Sequence, residues 1–278
     1  MVSRLIIAIG GLCSLIAPAF LQATVLPKQA RVPGGIAIIE LATGKQPPEV
    51  RYLGHRTLVM RDPNKPNTWI TVVGIPLSTQ PGVQSVEVIT ANQQFSKTFT
   101  VKSKKYPTEK LKIKDQRKVT PSPEDYEIIS AQYLETINTY AKWHAANLDS
   151  LTLTLPVKGR KSSPFGLTRI MNNIAKDPHS GLDIAAATGT KITCPRHGRV
   201  LNIGNFFYSG NMVFIDHGQG FITSYCHLDS ITVEKGQILK AGDVIGTVGK
   251  TGRVTGPHLH WSVSLNGARV DPLLFINE

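Results

Sequence analysis

Acidic residues are scarce in this chain of 278: 19 Asp and Glu stand against 31 Lys and Arg, a formal charge of +12. A chain so basic is predisposed to anionic surfaces such as cell-wall polymers, lipid headgroups or nucleic acid. Aromatic residues are missing where nucleic acid would need them. The densest basic cluster, Lys102 to Lys118, carries eight basic and two acidic residues but only Tyr106 as a stacking platform. It therefore reads as a solvated strand and linker, and no nucleic-acid partner is expected. Cysteine is scarce as well, three in all, and no spaced cysteine metal motif can be formed. Cys194 and Cys226 lie in apolar, strand-like runs and are expected as buried thiols rather than as a disulfide. No HExxH is present, which removes the helical zinc-protease arrangement and its glutamate base. No apolar run is long enough to make a comfortable membrane span.

The longest such run, Leu5 to about Ala17, follows Arg4 and precedes the small residues Ala19 and Ala23. That is the layout of a secretory signal peptide, so residues 1–23 are set apart from the fold and the mature protein is expected outside the cytoplasm without stable membrane insertion. Leu12 stands before Cys13 where a lipoprotein signal carries Gly, Ala or Ser, which argues against lipidation.

The remaining length suits two domains. Residues 24–101 offer short β-rich runs, IAIIEL, HRTLVM, TWITVVGI, VQSVEVIT and FSKTFTV, separated by turn signals, and predict a small antiparallel β-sandwich. Residues 102–150 hold the basic linker and then a helix. Ser122 fits its N-cap, Pro123 the first helical position, and Glu124 with Asp125 the first turn. Tyr126, Ile129, Tyr133, Ile137 and Tyr140 recur at helical spacing, which predicts one amphipathic helix to about Ala146, docking the first domain onto the second. Residues 151–278 are strand-rich and Gly-rich, which predicts an all-β domain.

Metal-competent residues gather in that second domain. DPHSGLDIAA supplies His179 and Asp183, SYCHLD supplies His227, and GPHLHWSV supplies His258 and His260. Pro178 and Gly181 rule out a helix for the first pair, so His179 is expected on a loop that feeds a strand starting near Asp183. His258 and His260, at i and i+2 of a strand, share one face. Zn²⁺ takes imidazole nitrogen and carboxylate oxygen in tetrahedral sites, and a catalytic site keeps one position for water. Five such groups, three of them needed for metal, leave two histidines for proton transfer, and histidine titrates near neutrality. Each motif alone also has an ordinary structural reading. His55, His197 and His217 are read as surface or turn residues, Asp216 and Asp229 as turn hydrogen-bonders, and His144 as lacking a helical partner.

Taken together, HSGLDIAA, GNMVFIDHGQGFITSYCHLDS, VEKGQILKAGDVIGTVGKTGRVTGPHLHWSV and NGARVDP resemble the catalytic domain of the lysostaphin/LytM-type zinc metallo-endopeptidases, over roughly residues 155 to 273. The N-terminal part is similar to the β-sandwich that precedes this domain in some Gram-negative members. The resemblance implies a lysostaphin/LytM-like antiparallel sheet. It also implies Zn²⁺ held by His179, Asp183 and His260, and His227 with His258 as paired catalytic histidines. The implied substrate is the stem peptides and cross-links of bacterial peptidoglycan, and the implied location is the periplasm or the cell exterior. A non-enzymatic wall-binding or amidase-activating module of the same fold is the alternative, but such members lose ligands and here all five positions are filled.

Overall fold

Runs such as IAII at 36–39 are apolar at consecutive positions, a pattern that suits strands buried on both faces. The computed structural model, which describes residues 26–277, shows what covers each face. The expected signal segment lies outside the described residues. Seven strands come first: β1 (Ile36–Thr43), β2 (Glu49–Tyr52), β3 (His55–Arg56), β4 (Leu58–Asp62), β5 (Lys65–Gly74), β6 (Gly82–Ile89) and β7 (Gln94–Val101). They form two sheets, in the orders β1-β5-β4 and β3-β2-β6-β7. Ala37, Ile39, Val50, Val73, Val86 and Phe99 fill the space between these sheets. The alternate residues Ile36, Leu58, Met60, Ile70 and Val72 point the other way, into the core of the C-terminal half. The expected sandwich is present, and its β1-β5-β4 sheet doubles as a middle layer of the whole molecule.

The chain continues through β8 (Thr108–Leu111) and α1 (Pro123–Tyr140). Beyond them lie β9 (Arg160–Ser163), β10 (Thr168–Met171), β11 (Ile174–Lys176), β12 (Leu182–Ala185), β13 (Lys191–Thr193) and β14 (Gly198–Phe206). The last six are β15 (Gly210–Asp216), β16 (Ile222–Ile231), β17 (Ile238–Leu239), β18 (Val244–Val248), β19 (His258–Leu265) and β20 (Ala268–Val270). The main sheet runs β17-β14-β15-β16-β19-β12-β9, with β18 joining β13 to β16 and β20 hanging on β19. All its pairings are antiparallel.

Two expectations need correction. The strand expected in the basic segment is present but does not stand alone in solvent, because β8 pairs in parallel with β10, with Glu109 opposite Arg169. Leu111 and Ile113 alternate with lysines and pack with Val119 and Met171, so an apolar stripe inside the charged run holds the strand down. The helix opens as expected, with a reciprocal Ser122–Asp125 capping box and Pro123 in the first turn. It ends at Tyr140 rather than near Ala146. Tertiary contacts pull the following residues out of the helix: the His144 carbonyl accepts from Gln219 N at 2.9 Å and the Ala146 carbonyl from the Gln219 amide at 2.8 Å. Of the predicted apolar stripe only Tyr140 is fully buried, against Phe214 and the Ser224 hydroxyl, while Tyr126, Tyr133 and Ile137 stay largely exposed.

Candidate metal centre

Strands β12 and β19 carry the sequences LDIA and HLHW, in which every second residue is apolar. Leu182, Ile184, Leu259 and Trp261 all go into the main core, so Asp183, His258 and His260 must face the other side. Antiparallel register then sets Asp183 directly opposite His260 and Ala185 opposite His258. His179 arrives from the loop before β12, pinned by its N–H on the Leu167 carbonyl at 2.8 Å and by its own carbonyl, which accepts from Gly166 N at 2.7 Å. As a result His179 Nε2 lies 2.9 Å from Asp183 Oδ1 and 2.9 Å from His260 Nδ1, and His260 Nδ1 lies 2.8 Å from Asp183 Oδ1. Among the described residues this is the one group of metal-competent side chains whose ligand atoms converge.

Proton positions follow from the partners. His179 Nδ1 faces the Pro164 carbonyl at 2.8 Å, which can only accept, so Nδ1 carries the proton and Nε2 presents a lone pair to the centre. His260 Nε2 lies 3.0 Å from the Ser262 hydroxyl, which can accept its proton and free Nδ1 in the same way. Two imidazole lone pairs and a carboxylate oxygen packed within 3 Å of one another are a donor set that a divalent cation satisfies. Burial pushes the Asp183 carboxyl up, but the facing His179 and His260 rings outweigh it and hold the group well below the usual carboxylate range. Burial also lowers His260 to about 4, against the opposing pull of Asp183.

The two remaining histidines stand beside this group. His258 donates from Nδ1 to the Gly256 carbonyl at 2.8 Å, and its Nε2 lies 3.8 Å from Asp183 Oδ1. His227 donates from Nδ1 to the Thr251 carbonyl at 2.8 Å, and its ring centroid lies 4.8 Å from that of His258. Register pairs Cys226 with His260, so ordinary alternation would turn His227 to the opposite face of the sheet. Its backbone instead takes a positive φ of 65°, at a register shift in β16, and this returns the ring to the cleft. A non-glycine residue in that region costs on the order of 1–3 kcal/mol and is held only where its surroundings fix it. Burial lowers His227 to about 3, with His258 and His260 adding to the effect, so the ring is neutral at physiological pH.

Sequence reading missed Arg169 and Glu109. The Arg169 Nη2 donates to the outer oxygen of Asp183 at 2.7 Å, leaving Oδ1 for the centre, and Arg169 Nε donates to Glu109 at 3.3 Å. Arg169 lies in LTRIM, which has no motif, and the contact depends on a parallel pairing with β8 that no local pattern announces. The other polar residues take the ordinary roles expected. His55 and His197 are exposed, and His217 is buried between the His197 carbonyl and Thr223. Asp216 accepts from Gly218 N at 2.8 Å and meets His144 at 2.7 Å. Cys194 and Cys226 are free, buried thiols pushed up by burial to about 11 and about 12, respectively, too high for either to act as a nucleophile.

An antiparallel sheet that lines up imidazole and carboxylate donors on one face defines a β-sheet protein with a candidate metal centre. The chain belongs to peptidase family M23: residues 177–272 match that family and residues 29–104 its N-terminal domain. The crystal structure of a Pseudomonas aeruginosa protein assigned to peptidase M23 superimposes with a TM-score of 0.75 at 43% identity, covering 89% of this chain and 95% of that one. Peptidoglycan DD-endopeptidase ShyA of Vibrio cholerae is 44% identical over 146 residues, 51% of this chain and 34% of ShyA. The DD-carboxypeptidase/endopeptidase Mpg of Neisseria meningitidis is 38% identical over 127 residues, 46% of this chain and 28% of Mpg. The chain thus spans only about a third of the length of ShyA and 28% of that of Mpg.

Proposed function

We propose that the protein is an exported zinc metallo-endopeptidase that hydrolyses peptide cross-links of peptidoglycan. The observation that carries this reading is the joint arrangement of His179, Asp183 and His260 around one point, with two further imidazoles at its edge. In it, His179, Asp183 and His260 hold the ion, and Arg169 keeps Asp183 turned so that one oxygen faces it. A cation there supplies Lewis acidity, acidifying water and polarising the amide carbonyl. The protein's own part is proton transfer. His227 and His258 each have Nδ1 committed to a backbone carbonyl, which leaves Nε2 of both as lone-pair nitrogens on the cleft. One of them takes a proton from the attacking water as the C–O bond forms, and that proton passes to the amine nitrogen as the C–N bond breaks. The basic surface suits an anionic wall polymer, and peptidoglycan lies where an exported protein would meet it. Among the described residues no helix is long and apolar enough to cross a membrane.

Incubating zinc-loaded protein with cross-linked muropeptides and weighing the products by mass spectrometry tests the reading. Cleavage at a cross-link is expected, and intact cross-links beside a fully loaded metal site would overturn it. His260→Ala should abolish metal retention. His227→Ala should keep the metal and lose turnover by about 10²- to 10⁴-fold. Equal metal loss in both would show that the roles are wrongly divided.

A further inference from the structure

Other buried guanidinium groups of the C-terminal half each meet a carboxylate: Arg169 bonds Asp183 and Glu109, and Arg196 bonds Asp149. Arg253 does not. It is partly buried, and among the described residues no hydrogen bond or ion pair reaches its guanidinium, which lies over the ring of Tyr208 at 4.3 Å. Asp177 acts on it only through space, and Arg169 repels it. A partly desolvated cation with five unmatched donors is costly unless an anion arrives.

Its position says where that anion would sit. Arg253 N donates to the Tyr208 carbonyl at 2.8 Å, and two residues earlier the Thr251 carbonyl holds His227 in place, so one short loop fixes both side chains. The cleft continues on both sides of the metal donors, past Ser163 and His258 in one direction and past Tyr133 and Cys226 in the other. Arg169, His227 and Arg253 line both halves, so Arg253 stands at the waist. Arg169 is already committed to Asp183, which leaves Arg253 as the buried fork available to a ligand.

We propose that Arg253 anchors a free carboxylate of the peptide substrate, one or two residues from the scissile amide, through a bidentate charge-assisted pair. This rests on the reading of the protein as a cross-link peptidase and adds that its substrates are acidic peptides, not their amidated counterparts. The test compares cross-linked muropeptides carrying free carboxylates with the same compounds after conversion of those groups to carboxamides. Native protein should prefer the free acid by about 10- to 100-fold in kcat/KM, chiefly through KM. Arg253→Gln should erase the preference, so that free acid and carboxamide are cleaved with equal kcat/KM by the variant, and Arg253→Lys should restore part of it. Calorimetric binding of both ligands to the His227→Ala protein gives a second readout that needs no turnover. Tighter binding of the free acid there supports the anchor even if no cleavage is seen, a result that would count against the peptidase reading alone. Equal affinity for acid and carboxamide in native protein, or a preference that survives Arg253→Gln, would overturn the proposal.

Discussion

At the scale of single residues, the centre depends on a position with no side chain. A Cβ on Gly181 would stand 2.6 Å from His260 Nε2 and 2.7 Å from Ser262 Oγ, closer than van der Waals contact allows. The His260 ring would have to leave the Ser262 hydroxyl, and a hydrogen bond that orients a metal-binding ring in this way is worth about 10- to 100-fold in metal affinity. Gly181→Ala is therefore expected to bind zinc that much more weakly in competition with a chromophoric chelator, while its circular dichroism stays native. Unchanged affinity would show that the Ser262 contact does not orient the ligand. The five candidate site residues stood out in the sequence only jointly, by gathering in one β-rich domain and through the resemblance to the lysostaphin/LytM-type enzymes, since HxH on a strand alone is more often an ordinary pair. The aim of His227 was not visible. Alternation alone would turn it away from His260, and only its positive φ returns it to the cleft.

Among the elements, α1 shows which signals are local and which are not. Its start was legible because a capping box and an early proline are satisfied within four residues. Its end was not, since the residues after Tyr140 are held by the Asp216–Gly220 turn, more than 70 positions away. The strand expected in the basic cluster was legible, but its pairing with β10, about 60 positions on, was not, for the same reason. The helix start also makes a pH prediction. Asp125 is held down to about 2, first by its paired hydrogen bonds from Arg117 and then by the Ser122 backbone, against the upward push of burial. An unfolded aspartate titrates near about 3.9, so the native form binds protons less readily than the unfolded form. The stabilisation is complete above about pH 4 and is lost as the pH falls through about 2. Asp125→Asn should therefore lower the melting temperature at pH 6 and converge with the native protein near pH 2. A constant difference across that range would mean that the Arg117–Asp125 pair is not the titrating contact.

For the whole molecule, the question is whether the N-terminal sandwich is a removable cover or part of the fold. Ile36, Leu58, Met60, Ile70 and Val72 share one core with Leu265, Val270 and Phe275, so the C-terminal half has no finished surface on that side. Two buried amides stitch the seam. Asn266 accepts from Gly74 N at 2.7 Å and donates to the Gly74 carbonyl at 3.0 Å, and Gln219 does the same for Val59 at 3.0 Å each way. Burying five such side chains contributes on the order of 10 kcal/mol, comparable with the entire net stability of a domain. The linker adds Glu109, which braces Arg169 behind Asp183. A sandwich that merely shaded the cleft would release activity when removed. The shared core argues the opposite: a fragment of residues 151–278 should bind a hydrophobic dye, melt without a cooperative transition and retain little zinc. A fragment that instead melts sharply, holds one metal and cleaves muropeptides faster than the full chain would establish the sandwich as a lid.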